Sequence, residues 1–82
     1  MLEKILRLNN INDVKKFVAL TSTKDYKITL ESDDFIVDAK SIMGVLSLDL
    51  TKPLKLKAYS DTTADFLREI EPFLWHLLGN LK

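Results

Sequence analysis

The chain has 82 residues, with 46% hydrophobic and 29% charged side chains and no cysteine. That is the composition of one globular domain, residues 1–82, held by packing without disulfides or thiolate metal ligands. Twelve basic residues balance twelve acidic ones, which provides no long-range attraction to nucleic acid or anionic lipid.

No apolar run approaches the ~20 residues that cross a bilayer. Met1-Leu2-Glu3-Lys4 does not open a signal peptide, since no charged segment leads into an apolar core. A cytoplasmic monomer is expected, with no membrane partner.

Residues 3–8, Glu-Lys-Ile-Leu-Arg-Leu, are short and rich in branched side chains and predict a strand. Asn9-Asn10-Ile11-Asn12-Asp13 is a cluster of turn and cap residues, and Val14, Phe17, Val18 and Thr21 then recur at helical spacing. Asn12 or Asp13 is expected to cap that helix. Tyr26, Ile28 and Leu30 alternate with Lys27, Thr29 and Glu31, the pattern of a strand buried on one face.

Ser32-Asp33-Asp34 makes a tight turn and Phe35-Ile36-Val37 the returning strand, so residues 26–37 form a hairpin. From Ser41 to Leu48 the spacing of Ile42, Val45 and Leu46 predicts a short helix capped by Ser41. Leu54, Leu56 and Ala58 alternate with Lys55, Lys57 and Tyr59 in a further half-buried strand. A last helix, capped by Asp61 or Thr62, carries Phe66, Ile70, Phe73, Leu74 and Leu77 and ends near Gly79-Asn80. Pro72 falls inside it and predicts a kink or short break, because it removes a hydrogen bond and meets the Arg68 carbonyl.

The order βαββαβα, with three strands that each wet one face, predicts an α+β fold: a four-stranded antiparallel sheet with three helices on one side, an open-faced sandwich. Leu30, Val37, Leu56, Phe17, Ile70 and Leu74 are expected in one core.

The stretch Val37-Asp38-Ala39-Lys40-Ser41-Ile42-Met43-Gly44-Val45-Leu46-Ser47-Leu48 resembles, almost residue for residue, the regulatory-serine segment of the HPr family of phosphocarrier proteins. The order of elements is similar too, over about residues 3–78. The resemblance implies the HPr fold and a place near the phosphoenolpyruvate-dependent sugar phosphotransferase system. One departure stands out. Members that carry phosphate have His-Ala-Arg-Pro at the start of the first helix; aligned through Phe17-Val18, those positions here read Asn10-Ile11-Asn12-Asp13.

Asn10 thus stands where the family has its phosphorylated histidine, and the chain's only histidine is His76. Relay of a phosphoryl group needs an imidazole lone pair as nucleophile, which an amide nitrogen lacks. Asp13 adds negative charge where the phosphoryl group must arrive, and Asn12 replaces the arginine that neutralises it and helps contact a repressor. Histidine relay is therefore not expected, nor any enzymatic activity or cofactor.

Ser41 is the remaining candidate. In HPr proteins of the Gram-positive type the serine of this motif is phosphorylated by an ATP-dependent kinase, and the product docks on a catabolite repressor. Ser41 as a helix cap alone is the plainer reading, and the two are compatible. Ile42, Met43 and Leu46 form a candidate partner-binding patch, with Lys40 placed to share a phosphate's charge; the alternative puts Ile42 and Leu46 in the core. The expected partners are proteins, an HPr kinase-like enzyme or a transcriptional regulator.

His76, near a helix end, reads as a dipole-compensating cation, and Trp75 beside it as a packing residue. Lys27, Glu31, Lys55 and Lys57 read as a solvated sheet face, and Asp33-Asp34 is too short for a calcium loop; no metal site is expected. The resemblance thus leaves two readings: a regulatory HPr-like protein acting through the helix at Ser41, or a degenerate paralogue recruited as a structural or interaction subunit outside sugar transport.

Overall fold

A computed structural model describes residues 1–75. The elements are β1 (Leu2–Leu6), α1 (Ile11–Thr21), β2 (Ile28–Ser32), β3 (Phe35–Asp38), α2 (Ile42–Leu46), β4 (Leu54–Ala58) and α3 (Ala64–Glu69), followed by a 3₁₀ turn, Glu71–Phe73. The strands form one antiparallel sheet in the order β1-β4-β2-β3. This is the expected open-faced α+β sandwich.

The alternating pattern decides which face is covered. Leu30 pairs with Leu56 and Val37, and Leu54, Leu56, Ala58 and Ile28 turn inward with Leu6. Against them lie Val14, Phe17 and Val18 of α1, Val45 of α2, and Phe66 and Ile70 at α3. Phe17 meets Phe73 edge-on at 5.7 Å and Tyr26 meets Phe66 edge-on at 6.2 Å, the arrangement favoured by ring quadrupoles. On the other face Lys57 lies 3.9 Å from both Glu3 and Glu31, a cross-strand charge row open to water. Of the residues expected in the core, Phe17, Leu30, Leu56 and Ile70 are fully buried, while Val37 and Leu74 are partly buried against it.

Several boundaries differ from the sequence reading. β1 covers residues 2–6 rather than 3–8, because its partner β4 begins at Leu54, opposite Leu6. The hairpin starts at Ile28, leaving Tyr26 before the strand. α2 is shorter than residues 41–48, and Leu48 is buried just past its end. At α3 neither Asp61 nor Thr62 caps the helix. The Thr62 amide donates to Ser60 Oγ at 3.1 Å, and Thr63 occupies the cap position without a side-chain bond.

The last helix shows the largest change. α3 ends at Glu69, and Pro72 sits in the opening turn of the 3₁₀ segment, where its missing N–H and fixed φ are compatible with the backbone. The helix breaks there rather than kinking, one of the two outcomes expected at Pro72. Leu74 is extended, with φ −65° and ψ 138°, and bridges Leu6 across the β1 edge. His76, Leu77 and the Gly79-Asn80 end lie outside the described residues.

Candidate interaction and modification site

α1 begins one residue after Asn10, so the cap is Asn10 and not Asn12 or Asp13. Its backbone is extended, and its side-chain oxygen accepts from the Asp13 amide at 2.9 Å. Asp13 Oδ2 in turn accepts from the Asn9 amide at 3.0 Å. The two side chains close the turn on each other, in the manner of a capping box. The carboxylate of Asp13 already complements the positive end of the helix dipole.

Ser41 is the cap of α2, as its position ahead of an apolar helix predicts. Its backbone is extended and Oγ accepts from the Gly44 amide at 3.1 Å. A Cβ added at Gly44 would meet Ser41 Oγ at 3.3 Å and Val37 Cβ at 3.4 Å, so glycine there lets α2 lie close against β3. The turn into the helix is fixed by Asp38, whose carbonyl accepts from the Ser41 amide and whose carboxylate accepts from the Lys40 amide. Buried Thr21 of α1 also donates its hydroxyl to the Ala39 carbonyl at 2.7 Å. α1 thereby anchors the connection that presents Ser41.

The face of α2 resolves the alternative left by its spacing. Val45 is its buried residue, whereas Ile42, Met43 and Leu46 are 41%, 79% and 37% exposed. Ile42 and Leu46 are therefore not core, and three apolar side chains stand in water next to Ser41. Lys40 behaves differently from expectation: its ammonium donates to the Lys24 carbonyl at 2.7 Å, so it braces the α1–β2 loop.

Lys24 itself bonds Glu69 at 2.6 Å and lies over the Phe66 ring. That hydrogen bond raises its pKa above the ordinary 10.5, against an opposing effect of burial. Burial raises the Tyr26 phenol above 10.0. Among the described residues no group of three His, Cys, Asp or Glu side chains could hold a metal ion, and no helix is long and apolar enough to cross a membrane. Sequence reasoning missed the Asn10–Asp13 closure and the exposure of Phe35 and Ile36 at the sheet edge. An apolar triplet after a turn carries no sign of which face it wets.

A four-stranded antiparallel sheet with helices on one face and a serine-capped short helix beside its edge strand defines a small α+β domain of the open-faced sandwich class. The chain belongs to the HPr component family of the phosphotransferase system, PTS: residues 12–74 match the family described as "PTS HPr component phosphorylation site". The match begins past Asn10. Among solved structures, the chain is similar to HPr-C-His from Thermoanaerobacter tengcongensis, with a TM-score of 0.71 and 29% identity over 83% of this chain and 84% of that one. The phosphocarrier protein HPr from Bacillus anthracis str. Ames shares the fold, with a TM-score of 0.69 and 19% identity over 90% of this chain and 96% of that one. No curated protein matches the chain.

Proposed function

We propose that this HPr-family chain does not carry phosphate on histidine and instead acts as a regulatory interaction protein through α2. The observation that carries this reading is the surface around Ser41: a capping serine flanked by exposed Ile42, Met43 and Leu46. An exposed apolar triplet on so short a helix is a docking surface in kind, and Met adapts to more than one partner. Its partners are proteins of the phosphotransferase system or a transcriptional regulator.

A phosphate on Ser41 would add about −1.5 to −2 charge at pH 7. First-turn amides such as that of Gly44 would face it, while Asp38 opposes it. Because Ser41 Oγ caps the helix already, modification changes the charge of the docking surface more than the fold. Regulation of catabolite repression is the role this switch fits, with weaker repressor contact because Asn12 stands in the arginine position.

The test is incubation with ATP and HPr kinase, read by mass spectrometry. One acid-stable phosphate is expected, and Ser41→Ala should abolish it. An unmodified chain beside a control HPr phosphorylated in the same tube would leave Ser41 as a cap only.

A further inference from the structure

The two edges of the sheet are treated differently. At β1 the edge is occupied by the chain's own residues 73–75: the Arg7 amide donates to the Phe73 carbonyl at 2.9 Å and the Trp75 amide to the Ile5 carbonyl at 3.0 Å. At β3 nothing comparable lies alongside among the described residues. Backbone groups of a strand point alternately to its two sides. The Ala39 amide donates to Ile28 of the neighbouring strand, so the odd-numbered residues of β3 face β2 and Ile36 and Asp38 face away. The Asp38 carbonyl is taken by the Ser41 amide. The N–H and C=O of Ile36 and the N–H of Asp38 remain open.

This edge is also apolar where edges are usually blunted. Phe35 is 70% and Ile36 64% exposed, and β3 has neither a proline nor a lysine, two devices that discourage pairing. We propose that β3 is a self-association surface, on which a second copy of this chain pairs antiparallel about a two-fold axis to continue the sheet.

Charge selects that occupant and that direction. The turn end of the edge carries Asp34, beside Asp33, which Lys52 holds at 3.1 Å; the far end carries Lys40, whose ammonium gives one of its three N–H groups to the Lys24 carbonyl, while Lys27 lies over the Tyr59 ring. A two-fold axis makes each patch meet itself reversed, so the acidic end of one copy lies against the basic end of the other. A pairing centred on Val37 sets Asp34 of one copy opposite Lys40 of the other and Ile36 opposite Asp38, so that the Asp38 amide donates to the Ile36 carbonyl and the Ile36 amide shares the Asp38 carbonyl, on its second lone pair, with Ser41. A pairing centred on Ile36 would set Asp34 against Asp38 and is disfavoured by like charge. The formal net charge of zero leaves no overall repulsion between copies. With only four residues in β3, the dimer is weak, with a Kd on the order of 100 µM, as suits a small interface. The expectation of a monomer then holds only at low concentration.

Sedimentation equilibrium from about 10 µM to about 1 mM spans that range. The mass should rise from 9.4 kDa toward twice that value. Ile36→Pro removes that residue's outward donor without touching the β2 ladder and should weaken the dimer at least about tenfold, with the circular dichroism spectrum unchanged. Ile36→Lys keeps the backbone donor but charges the edge, and should act in the same direction; it decides the matter if the proline variant does not fold. Asp34→Lys should weaken the dimer too, while Ile5→Lys, near the opposite edge, should not.

A single-chain mass throughout would overturn the proposal. So would a dimer that both Ile36 variants leave intact, as an exchange of β1 or pairing at another edge would give.

Discussion

Asn10 contributes a cap, and caps have a measurable size. Its side chain satisfies one of the four amides left open at the start of α1. Asn10→Ala should therefore lower the stability by about 1 kcal/mol, a fall in Tm of roughly 4–8 °C for a domain of this size. Asn10→Ser should retain most of it. Thermal unfolding followed by circular dichroism measures both, and an alanine variant as stable as the parent would contradict the assignment.

The cap at Ser41 was legible in the sequence, because one cap-forming residue stands directly before an apolar helical pattern. The cap of α1 was not. Asn9, Asn10, Asn12 and Asp13 can all cap. The choice falls on Asn10 because Asp13 is then one turn on, within reach of the Asn9 amide.

At the scale of elements, the half-buried strands β2 and β4 were legible from alternation alone, since burying one face imposes a period of two. The end of α3 was not, because the apolar residues Phe73 and Leu74 suit either a continuing helix or an extended segment on the β1 edge. Pro72 decides between them by withholding an amide, and the open edge of β1 takes up residues 73–75.

The junction between α3 and the loop after α1 is also where stability should respond to pH. The hydrogen bond to Glu69 raises Lys24 and burial raises Tyr26. Folded Lys24 keeps its proton to higher pH than the unfolded chain, so its stabilisation is complete below 10.5 and is lost as pH rises through its raised value. Unfolded Tyr26 loses its proton from 10.0 upward, before the folded phenol does, and this too favours unfolding as pH rises. Urea midpoints should thus fall above about pH 10 through both groups. Tyr26→Phe should make that fall shallower. An unchanged alkaline profile in Tyr26→Phe would show that the phenol is not held in its neutral form by the fold.

For the whole molecule, the order of elements and the patterning of three strands were enough to give the sandwich, since one wet face per strand leaves few ways to cover the other. The open edge at β3 was not legible, because strand order in a sheet comes from long-range pairing and not from local pattern. The functional reading depends on both scales. The family match covers residues 12–74 and the fold is that of the HPr structures, the serine-capped helix is presented to solvent, and the start of α1 is closed by Asn10 and Asp13.

The proposal that this member of the family does not relay phosphate through histidine has a direct test. The direct measurement supplies the general phosphotransferase enzyme and labelled phosphoenolpyruvate, with a histidine-bearing HPr as control. Label is expected on the control and none on this chain. Acid-labile phosphate on this chain, on His76 or elsewhere, would contradict it.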